Sequence, residues 1–194
     1  MRYHLCLLLF FATSSHVLAQ EIKHSNYFAQ IPEYPEDYGP GNVMARLVEG
    51  LGFRYYWASI DLKEPDLNYK PSADGRSTLE TLQHICAMSH GIREVTTGQE
   101  QLKPDLKGMD YEELRFQTLE NLKEAAAALR GKTAEELAAM KLGRGSHTFP
   151  FWNMINGQIS DCLYHTGQVV SYRRSSGNPM PAGVNVFLGT AAER

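Results

Sequence analysis

Gln158-Ile159-Ser160-Asp161-Cys162-Leu163-Tyr164-His165-Thr166-Gly167-Gln168-Val169 falls into two rows when wound at helical spacing. Ile155, Ile159, Cys162 and Val169 make an apolar row, and Gln158, Asp161, His165, Gln168 and Tyr172 make a polar row beside it. Asp161 and His165 stand at i and i+4, one above the other on the same face. A polar row next to a core-facing row is partly buried, and a buried carboxylate without a partner is costly. A salt bridge, a hydrogen-bond network or a metal ion would meet that cost. Far upstream, Leu82-Gln83-His84-Ile85 offers a further imidazole from a separate segment. Two residues at helical spacing plus one remote histidine is how metal sites between facing helices are built.

Three more segments carry helical signals. Met44, Leu47, Val48, Leu51, Tyr55, Ala58 and Leu62 follow 3/4 spacing, with Asn42 as the candidate cap. Ser77-Thr78-Leu79-Glu80 and Asp110-Tyr111-Glu112-Glu113 are capping boxes, in which the cap side chain and the acid three residues on each satisfy a free backbone donor. His84 shares a stripe with Met88 and Val95 and is expected to face the core, whereas His90 lies on another face and is read as surface. Thr133-Ala134-Glu135-Glu136 caps a short helix, 141–147 reads as irregular, and Pro150 is placed in the first turn of the last helix. Gly50 and Gly52 mark a close neighbour or a bend. The spacing predicts helices over 42–63, 77–99, 110–131 and 150–175, hence an all-α four-helix bundle without a substantial sheet.

The chain of 194 residues suits one full-sized domain, and a net charge of −3 gives no electrostatic case for a nucleic-acid partner or an anionic membrane surface. Arg2, the apolar run Leu5 to Ala12 and Val17-Leu18-Ala19 form a secretory-signal pattern, too short to span a bilayer. The expected organisation is a signal peptide over 1–19, an irregular proline-containing arm over 20–41, the bundle over 42–181 and a tail over 182–194. The mature chain is then expected to be periplasmic or extracellular, without stable membrane insertion. Cys86 and Cys162 remain after removal of Cys6; two buried free thiols are the expectation, with one bridge the alternative.

Two neutral imidazoles and one carboxylate in a facial arrangement suit zinc, nickel or iron(II), with positions left open for water or substrate. The expected ligands are His84, Asp161 and His165. Gln168 is read as the group that holds a ligand or bound water. The competing reading is an Asp161–His165 ion pair with no metal. His147, in a loop before the last helix, is a weaker candidate, and His24 falls in the arm. No nucleophile elbow, phosphate loop or dinucleotide fingerprint occurs.

Ser77 to Ile85, His165-Thr166-Gly167-Gln168-Val169-Val170 and Arg173-Arg174-Ser175-Ser176-Gly177-Asn178-Pro179-Met180-Pro181 occur in an order and separation that resembles the DinB/YfiT-like family of metal-binding four-helix bundles. The resemblance implies three ligands, one on the second helix and a pair at i and i+4 on the last. By position these are His84, Asp161 and His165, with Asp161 standing where the family usually has histidine. A harder, charged ligand shifts preference away from soft metals. Arg76 stands where an aromatic residue is common. The family includes transferases and isomerases that work with low-molecular-weight thiols, but export counts against that chemistry here. The expected function is an exported metal-dependent hydrolase or transferase acting on a small-molecule substrate. The alternative is a non-catalytic metal- or small-molecule-binding bundle, or a stress-related one. A homodimer is compatible with either.

Overall fold

The computed structural model describes residues 26–100 and 102–192. The expected signal peptide and the first part of the arm lie outside the described residues. Tyr27–Ala29 forms a 3-10 turn, followed by helices α1 (Pro40–Ser59), α2 (Glu64–Asn68), α3 (Thr78–Thr97), α4 (Tyr111–Leu129) and α5 (Ala134–Ala139). A hairpin of β1 (Lys141–Arg144) and β2 (His147–Pro150) leads into the last helix. That helix comes in three pieces: α6 (Trp152–Met154), a π turn (Ile155–Ile159) and α7 (Ser160–Ser175).

The capping boxes start their helices as the spacing requires. Ser77 Oγ accepts from the Glu80 N–H at 3.1 Å, and Glu80 Oε2 accepts from the Ser77 N–H at 2.7 Å. Asp110 with Glu113 and Thr133 with Glu136 repeat the arrangement. α1 begins differently from expectation. Pro40 takes the first turn after Gly39, because its missing N–H and fixed φ suit that position. Asn42 instead accepts from the Gly131 N–H at 3.0 Å and donates to Asp37 at 2.8 Å, tying the entry of α1 to the exit of α4.

α1, α3, α4 and α7 are the four long elements of the bundle. α4 packs on α1 and α3, and α7 packs on the same two helices. Val48, Leu51, Leu82, Ile85, Leu122 and Val169 are fully buried in one shared core. Each such side chain contributes about 1.5–3 kcal/mol by leaving water. Gly52 marks a close approach: a Cβ there would sit 2.4 Å from the ring of Phe28, so the arm's buried aromatic docks where α1 has no side chain.

Three local expectations change. The segment between the helices expected over 42–63 and 77–99 contains α2, where Asp66 accepts from the Lys63 N–H at 2.7 Å. The segment 141–147, expected as irregular, enters a hairpin with Leu142 paired to Phe149 and Pro150 ending β2 rather than starting a helix. Its β2 residues are all exposed, so no alternation announced it. Gly143 (φ 85°) would place a Cβ 2.1 Å from the His147 carbonyl oxygen, so only glycine fits. His90, expected at the surface, is buried, with Nε2 3.7 Å from Glu94. It lies on α3 between Ser89 and Arg93, which bind Asn121 and Glu124 of α4, so that face of α3 is covered too.

Candidate metal centre

α3 and α7 run antiparallel past each other, with Ile85 and Cys162 at the crossing, where the Cys162 thiol approaches the Ile85 carbonyl at 4.0 Å. One residue before Ile85 comes His84, and one before Cys162 comes Asp161. The crossing therefore sets both beside each other, and helical spacing adds His165. His84 Nε2 is 3.5 Å from Asp161 Oδ2, and His165 Nε2 is 3.6 Å from the same oxygen. One ligand atom from each of the three lies within 4.8 Å of the others. The imidazole rings meet edge to face, 4.7 Å between centroids at 86°.

This spacing fits an ion. Metal–ligand bonds of about 2.1 Å at tetrahedral angles separate ligand atoms by about 3.4 Å. Both histidine–aspartate separations are close to that value and too long for good hydrogen bonds. The side chains of His84 and Asp161 are 32% and 46% exposed, whereas that of His165 is 10% exposed, so the site opens on one side. Burial, together with the charges of Arg76 and His165, lowers the His84 pKa against the opposing pull of Asp161. His84 thus favours the neutral form that a ligand needs.

Gln168 engages His165 itself. Its Oε1 lies 2.7 Å from His165 Nδ1, while its Nε2 donates to the Tyr164 hydroxyl at 3.3 Å. The Tyr164 ring also meets the His165 ring at 5.2 Å. Sequence reading missed Tyr164, although its i,i+4 spacing to Gln168 was available as a signal. Cys86 and Cys162 are free and buried, and burial pushes both thiol pKa values up, which keeps them neutral and unsuited as ligands. His147 is on exposed β2 and is not in the cluster. A cleft of about 790 Å³ contains none of the three ligands; Gln158, one turn before Asp161, is its wall on the side of the centre. No helix of the described residues is long and apolar enough to cross a membrane.

No curated protein matches the chain significantly. Among solved structures, a DinB family member protein from Shewanella denitrificans is similar, with 18% identity, a TM-score of 0.49, and coverage of 79% of this chain and 92% of that one. A DinB-like protein from Bacillus subtilis is similar at 14% identity and TM-score 0.42, covering 81% of this chain and 96% of its own. The family model described as DinB family matches residues 59–188, more than half of the chain and the whole of the site. The chain belongs to the DinB family.

Proposed function

We propose that the protein is an exported metal-dependent hydrolase or transferase of the DinB family, holding one divalent ion between His84, Asp161 and His165. The observation that carries this reading is the convergence of three ligand atoms within 4.8 Å on a half-open face. A bound zinc, nickel or iron(II) ion would supply Lewis acidity toward a water or a substrate group in its open positions. His84 and His165 contribute neutral donors. Asp161 contributes a negative charge that lowers the net charge of the centre and turns its preference toward harder ions than three imidazoles would select. The half-exposed side of the centre leaves room for a small-molecule substrate. The Arg2, Leu5–Ala12 and Ala19 pattern supports export, with Gln20 as the first mature residue; N-terminal sequencing from the native host is its check.

The test is elemental analysis of the mature protein, followed by titration of metal-stripped protein with zinc, nickel and manganese. Stoichiometric binding is expected, lost in His84→Ala and His165→Ala and kept, with changed metal order, in Asp161→His. Equal binding by wild type and both alanine variants would overturn the assignment. Metal binding without turnover of ester, amide or thiol-transfer substrates would favour the non-catalytic binding module.

A further inference from the structure

A histidine that binds a metal through Nε2 must carry its proton on Nδ1, and something must hold it there. In this chain the geometry points to Gln168 as a positioning residue that holds His165 in the Nδ1–H tautomer, with Tyr164 holding Gln168. This rests on the proposed metal centre and adds what prepares one of its ligands.

The argument starts from donor and acceptor chemistry. Gln168 Oε1 can only accept, so at 2.7 Å from His165 Nδ1 it requires a proton on that nitrogen. The proton is then absent from Nε2 of the neutral ring, the atom that faces Asp161 Oδ2 at 3.6 Å. The reversed amide would point an N–H at Nδ1 and leave the proton on Nε2, where it would block a metal. Orientation of one amide therefore decides whether His165 can serve as a ligand. Helix spacing makes the arrangement local: Gln168 is three residues from His165 and four from Tyr164, so all three stack along one side of α7. The other end of the amide donates to the Tyr164 hydroxyl at 3.3 Å, which fixes the side chain across the edge of the imidazole. Tyr164 is 63% exposed, so its substitution removes little from the core and is expected to leave the fold intact.

Two readouts separate this role from a merely structural one. In metal-free protein, long-range proton–nitrogen NMR of the His165 ring is expected to show Nδ1–H in wild type. In Gln168→Leu it should shift toward Nε2–H, the form free imidazoles favour. Zinc affinity, measured against a competing chelator, should fall about 10–100-fold in Gln168→Leu. Gln168→Glu, whose carboxylate can only accept, should keep wild-type affinity or exceed it, and Tyr164→Phe should lie between wild type and Gln168→Leu. An Nε2–H tautomer in the wild type, or equal losses in Gln168→Leu and Gln168→Glu, would overturn the inference. If zinc binds no variant and not the wild type, the metal reading fails while the tautomer measurement still decides the role of Gln168.

Discussion

The two ends of α7 each carry a polar cluster, and the clusters differ in how completely they satisfy themselves. Near the C-terminal end, Arg173 is 1% exposed and donates to the carbonyls of Trp57 and Ala58, both at 3.0 Å, and to the Asn178 carbonyl at 2.7 Å and its side chain at 3.2 Å. Asn178 in turn donates to Asp66 at 2.7 Å, and Ser176 donates to the other oxygen of that carboxylate. Donors and acceptors close on one another. Near the N-terminal end, His84 and His165 approach Asp161 Oδ2 at 3.5 and 3.6 Å, long for hydrogen bonds, and the cluster is half exposed on one side. A saturated network fastens α7 to the end of α1 and to α2. Three ligand atoms that lie within 4.8 Å of one another make a cluster that could hold an ion.

This contrast predicts opposite responses to substitution. The largest effect is expected at the saturated end. Arg173→Met keeps much of the volume but takes a charged donor from the Trp57 and Ala58 carbonyls and removes a charge that faces buried Asp66. Breaking a buried charged network of this kind costs about 3–5 kcal/mol. Urea denaturation is the measurement, and a loss under 1 kcal/mol would mean that the network is dispensable and the comparison wrong.

A smaller effect, with a pH signature, is expected at Asp66. Burial alone would raise its pKa, but hydrogen bonds from Ser176, Asn178 and the Lys63 N–H, together with the Arg173 charge, hold it below the ordinary 3.8. A carboxylate with a depressed folded pKa contributes stability that is present above its unfolded value and lost as pH falls through the folded one. Asp66→Asn should therefore cost about 1.5–3 kcal/mol at neutral pH, the range for hydrogen bonds to a charged group. The gap to wild type should close below pH 3.8, which denaturation midpoints across the acid range would show.

Some of this was legible in the residues and some was not, for identifiable reasons. The capping boxes at Ser77, Asp110 and Thr133 are local rules, and local rules were enough for the helices they start. The convergence of His84 with Asp161 and His165 followed from one helix face plus the family resemblance. The hairpin and α2 were missed because four- and five-residue elements carry no period. The π turn at Ile155–Ile159 was missed because its extra residue appears only when hydrogen bonds are counted. His90 was misjudged by residue type: a histidine off the main stripe reads as surface, yet a helix packed on two sides buries more than one stripe, and the burial of Arg173 carries no signal in the sequence because an arginine is rarely buried. Gln168 was assigned to the site, but its hold on His165 depends on side-chain torsions that no spacing encodes.

The smallest effect is expected at the unsaturated end, in protein stripped of metal. His84 is partly exposed and its contact to Asp161, at 3.5 Å, is weak, so His84→Ala removes little that stabilises the fold. A change within about 0.5 kcal/mol of wild type is expected at pH 8, as for substitutions away from buried networks. The direction with pH is also set. The folded pKa of His84 lies below the ordinary 6.5, because burial and the charges of Arg76 and His165 disfavour its protonated form. Below pH 6.5 the unfolded chain therefore binds a proton that the folded chain resists, and stability falls as pH falls through that window. His84→Ala should remove this slope and become more stable than wild type on the acid side, in metal-free protein. Adding zinc at pH 8 should make wild type the more stable of the two, since a ligand at 100 times its Kd adds about 2.7 kcal/mol to the folded state. A variant that is strongly destabilised without metal, as Arg173→Met is expected to be, would show that the two ends of α7 are both structural and that the centre is a packing network rather than a binding site.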